Sequence, residues 1–183
     1  AICLGLLVKE MIMERKYLVF LDIDGVFTSA RVNMAQNATY ETWHRFDPVA
    51  VDFMNKIHDT YPVEFVLMST WKNYIDVTSS QVEHWIKAAF GNSGFRGTFA
   101  KPWKTDPDET WINNSGLQRG DEVRMYLDEY GQDVDDFILF DDNRYNFKEA
   151  LGKSRLVWTD AEDGLLHKHM LNALSLIGTW IKR

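Results

Sequence analysis

The sequence predicts a three-layer α/β fold, a central parallel sheet with helices on both faces. Three observations predict it. Short, mostly apolar runs at 17–21, 63–68 and 137–140 have the length and residue types of buried strands. Segments with helical spacing of apolar residues fall between them, so strands and helices alternate along the chain. Each run also ends abruptly in polar, reactive side chains, as strands do where an open sheet meets a ligand. No repeat, low-complexity tract or linker divides the chain.

The first run, Tyr17-Leu18-Val19-Phe20-Leu21, has no charge and reads as the central strand. It leads into Asp22-Ile23-Asp24-Gly25-Val26. Two carboxylates at a buried strand tip need a cation or a hydrogen-bond network. Gly25 lets the backbone turn tightly and come close to a ligand. That arrangement suits a phosphate and a divalent metal. Residues 27–46 are polar and irregular, with Thr28, Ser29, Arg31, Asn33, Gln36 and Asn37, and read as a loop or small excursion above the tip.

Asp47-Pro48 then opens a helix, with Asp at the cap and Pro at the first helical position, where its missing N–H costs nothing. Ala50, Phe53, Met54 and Ile57 give that helix one buried face, and Tyr61-Pro62 closes it. The strand at 63–68 ends in Ser69-Thr70-Trp71-Lys72. A helix over about 79–90 buries Val82, Trp85, Ile86 and Phe90, and Gly91, Gly94 and Gly97 break it. A loop of polar and aromatic residues is expected from there to Gln118. Arg119-Gly120-Asp121-Glu122 opens the next helix, with Val123, Tyr126, Leu127 and Tyr130 as its stripe and Gly131 as its stop. The strand at 137–140 ends in Asp141-Asp142-Asn143, and 155–159 supplies a fourth strand. A last helix turns Leu166, Met170, Ala173, Leu174 and Ile177 inward.

One domain, expected over 13–183, accounts for the length: 183 residues are ample for a single core. Hydrophobic residues at 45% and charged residues at 26% are ordinary for a globular chain and exclude disorder. Residues 1–12 read as an N-terminal extension foreign to the domain, or as a short added strand or helix; Met11 and Met13 stand just before the first strand. Ile2 to Val8 is apolar but far too short to span a bilayer, and no membrane partner is expected. A formal net charge of −7 excludes an extended, sequence-blind nucleic-acid surface but leaves room for a local basic patch. The single cysteine, Cys3, excludes an intrachain disulfide and fits a reducing, cytoplasmic setting. The glycosylation patterns at Asn37-Ala38-Thr39 and Asn113-Asn114-Ser115 read as chance matches.

Three strand tips therefore carry chemistry: Asp22 and Asp24, then Ser69 and Thr70, then Asp141 and Asp142. Polar residues end many strands for no reason beyond solvation, so one such tip proves little. Three converging on one sheet edge point to a site.

In that order, Asp22-Ile-Asp-Gly-Val, the strand ending at Ser69 and the strand ending at Asp141-Asp142 resemble motifs I, II and IV of the haloacid dehalogenase (HAD) superfamily. The resemblance runs from about Tyr17 to Ile177. Leu21-Asp-Ile-Asp-Gly-Val, Ser69-Thr-Trp-Lys, Arg119-Gly-Asp-Glu-Val, Val157-Trp-Thr-Asp and Asp163-Gly-Leu are similar to a HAD branch of phages and bacteria, found also as a domain of proteins linked to RNA repair. The resemblance implies a Rossmann-like HAD fold with a small cap or none, because 27–46 and 71–118 leave little room for an inserted domain. It implies a magnesium-dependent phosphomonoesterase. Asp22 would attack phosphorus to form an aspartyl-phosphate. Asp24 would protonate the leaving oxygen and then deprotonate the hydrolytic water. Magnesium would be held by Asp22, the Asp24 carbonyl and Asp141, with Asp142 close by. Ser69, or Thr70 if the register differs by one, would hydrogen-bond the phosphate above the Gly25 turn. Arg119 stands where the family carries a cation for the phosphate, and Lys101 and Lys104 compete for that role.

Other candidates carry less. His167 and His169 lie two apart on a helix and face different ways, which makes a poor metal pair. Asp22-x-Asp24-Gly25 is no calcium loop, since the glycine is misplaced and the later glutamate absent. Among the seven tryptophans, Trp71 beside the phosphate site is a candidate for stacking a base, with core packing as its competing role. The expected substrate is a nucleotide or a nucleic-acid terminal phosphate. Sugar phosphates and other small metabolites are the alternative, as is a phosphate-binding module without turnover. The Asp22/Asp24 pair speaks against the last, because a binder has no use for the second acid.

Overall fold

The computed structural model describes residues 15–36, 45–73, 78–106 and 116–182. The extension at 1–12 and both glycosylation patterns lie outside them. Five strands form one sheet: β1 (Tyr17–Leu21), β2 (Val63–Leu67), β3 (Phe99–Lys104), β4 (Asp136–Asp141) and β5 (Leu156–Trp158). Their order is β3-β2-β1-β4-β5, and every neighbouring pair is parallel. The helices are α1 (Ala30–Ala35), α2 (Pro48–Thr60), α3 (Ser79–Asn92), α4 (Arg119–Tyr130), α5 (Phe147–Leu151) and α6 (His167–Leu176), with a 3₁₀ turn at Thr70–Asn73. This is the three-layer α/β architecture that the sequence predicts.

β1 is central because it can be buried on both sides. Tyr17, Val19 and Leu21 pack with Ala50, Met54 and Ile57 of α2, Val82 and Ile86 of α3, and Ala173 of α6. Leu18 and Phe20 point the other way, onto Val123 and Tyr126 of α4 and Phe147 of α5. Each Val, Leu, Ile, Phe or Met side chain among them contributes roughly 1.5–3 kcal/mol by leaving water. The caps follow the local chemistry. Asp47 accepts a hydrogen bond from the Val49 N–H at 2.9 Å, ahead of Pro48. His169 is buried, and its Nδ1 accepts from the Leu166 N–H at 3.0 Å, a helix-opening role that leaves no metal pair with exposed His167.

Four local features depart from the sequence reading. β3 lies within the expected loop; it is an edge strand, which tolerates Pro102 and its cis peptide bond, and its register against β2 shifts between Phe65 and Leu67. α1 forms in the segment expected to be irregular, because Ser29 caps it by accepting from the Val32 N–H at 3.2 Å. The short helix α5 follows β4. And Leu174, expected to face inward, is 46% exposed, so the apolar stripe of α6 is narrower than its spacing suggests.

From β1 the chain steps outward through β2 and β3, then returns to lay β4 on the other side of β1. The strand order reverses between β1 and β4. In an open parallel sheet the crevice at that reversal, beyond the carboxyl ends of the strands, is where ligands bind.

Candidate active site

Asp22 and Asp141 meet at this crevice. The Asp22 N–H donates to the Phe140 carbonyl at 2.9 Å, which sets the two strand tips side by side. Both side chains are withdrawn from water, at 6% and 0% exposure. Arg119 enters from the first turn of α4, and its Nη1 donates to Asp22 Oδ2 at 2.7 Å and to Asp141 Oδ2 at 2.6 Å. The second Asp22 oxygen, Oδ1, accepts from the Ile23 N–H at 2.8 Å. Burial works to lower the Arg119 pKa, but the Asp22 and Asp141 carboxylates outweigh it and the value rises.

The acids are under-compensated. Burial first, and the Asp22 charge second, push Asp141 up to about 7, against the guanidinium and the Asn143 N–H that favour its charged form. Asp142 is raised by the same two causes in the same order. Ligand oxygens of Asp22, Asp141 and Asp142 all lie within 4.8 Å of one another. Three carboxylates thus face one guanidinium, and hard oxygen donors crowded with excess negative charge fit a magnesium ion. Gly25 makes room for the third: its φ is +69°, and a Cβ there would lie 2.4 Å from the Asp142 Cβ.

Asp24 stands apart from this cluster. Its carboxylate is exposed and anchored at both oxygens, accepting from Thr28 Oγ1 at 2.9 Å and from the Trp71 indole N–H at 2.9 Å. Trp71 is only 9% exposed and sits beside Phe46 and Trp85, with ring centroids at 6.2 and 6.5 Å. Its position is that of a core wall with one polar handle, and the handle holds Asp24.

Ser69 is fully buried at the tip of β2, its Oγ accepting from the Trp71 backbone N–H at 3.4 Å, while Thr70 is exposed at the start of the 3₁₀ turn. Of the three competing cations, Arg119 is the one bonded to the acids. Lys101 is exposed on β3, and Lys104 is buried with its ammonium 5.8 Å from the Trp103 ring.

Two residues of the site escape sequence reasoning. Lys72 is buried, with its ammonium bonded to Glu122 of α4 and to the Thr105 hydroxyl. Burial lowers its pKa, and Glu122 opposes that shift. The pair ties the turn after β2 to the helix that carries Arg119. The signal was a lysine closing the second motif and a glutamate in the first turn of α4, charges of opposite sign near adjacent tips. Tyr145, in the loop after β4, sets its ring 4.7 Å from the Arg119 guanidinium. Its φ of +33° is strained for a non-glycine residue, a cost found where a side chain must be held in place.

An open parallel sheet, with paired acids after β1, a hydroxyl after β2, a buried cation opening α4 and paired acids after β4, defines the class: an α/β domain of the haloacid dehalogenase superfamily. Residues 18–170 match the family described as the HAD domain in Swiss Army Knife RNA repair proteins, and the chain belongs to that family. Membership carries a HAD phosphatase-type function at the level of class; HAD domains generally use Mg²⁺, and the acidic cluster suits it. No curated protein and no solved structure matches the chain significantly. No helix among the described residues is long and apolar enough to cross a membrane.

Proposed function

We propose that the chain is a magnesium-dependent phosphomonoesterase that works through an aspartyl-phosphate on Asp22 and takes nucleotides or nucleic-acid terminal phosphates. The observation that supports it is the different setting of two acids on one strand tip: Asp22 buried and gripped by Arg119, Asp24 exposed and steered by Thr28 and Trp71. A nucleophile must be aimed and desolvated, whereas an acid–base group must reach both the leaving group and water.

Magnesium held by Asp22, Asp141 and Asp142 would supply the positive charge that lets a carboxylate approach a phosphate dianion. An Asp22 oxygen attacks phosphorus, the bond to the leaving oxygen breaks, and that oxygen takes the proton from Asp24. Asp24, now a carboxylate, takes a proton from water. The water oxygen attacks phosphorus and breaks its bond to Asp22, releasing inorganic phosphate and restoring both acids. Ser69, or Thr70 in its stead, donates to a phosphate oxygen. The family's occurrence in RNA repair proteins supports a nucleic-acid or nucleotide substrate.

The test is phosphate release from mononucleotides, 3′- and 5′-phosphorylated oligonucleotides and sugar phosphates at fixed magnesium and salt. We expect kcat/KM to favour the nucleotide-bearing esters by about tenfold or more, the scale of one stacked base, and a chelator to silence every reaction. Hydrolysis that resists the chelator, or a preference for sugar phosphates, would reject the reading.

A further inference from the structure

Beside the acidic centre, between the loop after β4 and the edge strand β5, lies a cleft of about 420 Å³ walled by Arg144, Tyr145, Lys148 and Trp158. That volume is within the usual range for a small-molecule or nucleotide-sized subsite. We propose that it binds single-stranded polynucleotide, taking the base and the phosphodiester next to a terminal phosphate seated at Asp22. The proposal rests on the phosphomonoesterase reading and narrows its substrate to a strand end.

Position is the first argument. The cleft is bonded to the centre it would serve: the Trp158 indole N–H donates to the Asp142 carbonyl at 2.8 Å, and the Tyr145 ring covers the Arg119 guanidinium at 4.7 Å. A phosphate at Asp22 and a base in this cleft would therefore be neighbours along one chain.

Exposure is the second. Trp158 is 48% exposed and Tyr145 43%, two large aromatic side chains open to solvent at the lip of the same crevice. Exposed aromatics grouped in this way mark recognition surfaces. The Arg144 guanidinium lies 3.9 Å from the Trp158 ring centroid, so a flat π-surface and a fixed positive charge are presented together. Nucleic-acid bases stack on aromatic rings and guanidinium planes without regard to sequence.

Charge is the third argument. Lys153 and Arg155 also line the cleft but are matched by Asp136, at 2.8 and 2.6 Å. The Arg144 guanidinium and the Lys148 ammonium make no ion pair or hydrogen bond among the described residues, which leaves them available against a single lining carboxylate, Glu149. In a chain of net charge −7, unmatched cations beside stacking rings are a local reversal suited to a phosphodiester. A mononucleotide brings a terminal phosphate and a base but no phosphodiester for Arg144 and Lys148. A strand end brings all three.

The test measures binding of a fluorescein-labelled, unphosphorylated single-stranded RNA oligonucleotide to the full chain by anisotropy, alongside phosphate release from mononucleotides. Trp158→Ala and Arg144→Glu are expected to weaken binding about tenfold or more, the scale of one stacked base. Lys148→Ala should flatten the salt dependence by about 0.7 in log–log slope. Lys87→Glu, on α3 at the opposite sheet edge, should leave affinity within about twofold, since it removes no contact of the stack or the strand. Trp158→Phe, which keeps a ring, guards against misfolding of the alanine variant and should retain most of the affinity. Affinity equal in Arg144→Glu and wild type overturns the proposal. So does phosphate release from mononucleotides with no measurable strand binding, an outcome that leaves the phosphatase reading intact. Strand binding that Arg144→Glu abolishes, in a chain that releases phosphate from no ester, supports the subsite and removes the proposed reaction instead.

Discussion

Asp22→Asn is expected to lower phosphate release by at least about a thousandfold, the scale on which loss of a nucleophile acts. The amide oxygen cannot form the aspartyl-phosphate, and no other carboxylate is held by Arg119 at the tip of β1. The fold should survive. Arg119 keeps Asp141 as partner at 2.6 Å, and one of three crowded carboxylates loses its charge. A melting midpoint at or above that of wild type, in metal-free buffer, is the expected companion result. Asp24→Asn separates the two acids. It leaves the nucleophile in place, so activated esters should load phosphate onto Asp22 and stall there, visible as a mass increase after acid quench. Turnover by Asp22→Asn within tenfold of wild type would remove it as the nucleophile.

The second large effect concerns pH in the absence of metal. Asp141 has its folded-state pKa raised from 3.8 to about 7, by burial and then by Asp22. A carboxyl shifted upward stabilises the fold where it is protonated. Its contribution is complete below about pH 4 and is lost as pH rises through about 7, at roughly 1.4 kcal/mol per unit. Metal-free wild type should therefore lose more stability between pH 5 and pH 8 than Asp141→Asn, which lacks the titrating group. Magnesium should reverse the loss at pH 8, where the charged acids bind it, and do much less at pH 5. Thermal melts of both proteins, with and without magnesium, decide it. Identical pH profiles for the two proteins would show that Asp141 is not the titrating group, and an equal magnesium response at both pH values would show that the acids do not hold the ion.

The sheet and the three reactive tips were legible because their causes are local. Tyr17 to Leu21 is apolar at every position, so only a strand buried on both faces suits it, and the acids that follow must then lie at its end. The same logic placed Ser69 and Asp141. β3 was hidden because Lys101, Pro102 and Lys104 spoil the apolar pattern; what makes it a strand is its neighbour Phe65, distant in sequence. Arg119 could be ranked but not chosen from sequence, since Lys101 and Lys104 lie in the same interval and only the entry angle of α4 decides which cation reaches the acids. Trp71 shows the remaining gap. Its adjacency to Ser69 was visible, yet the direction of its ring depends on Phe46 and Trp85, brought together from two other segments, and that direction turns a surface platform into a handle for Asp24.

The buried Lys72–Glu122 contact also shapes how such a chain can change over generations. Losing Glu122 alone takes the carboxylate from a fully buried ammonium, at about 3–5 kcal/mol, while replacing both partners with apolar side chains costs little. A lineage that loses Glu122 first therefore passes through a poorly folded intermediate, and one that loses Lys72 first leaves a part-buried carboxylate still bonded to Thr105. Positions 72 and 122 are fifty residues apart, yet a change at one alters what is tolerated at the other. Arg119 sits one turn before Glu122 on the same helix, so what is tolerated at Lys72 bears on the aim of the guanidinium at Asp22 as well.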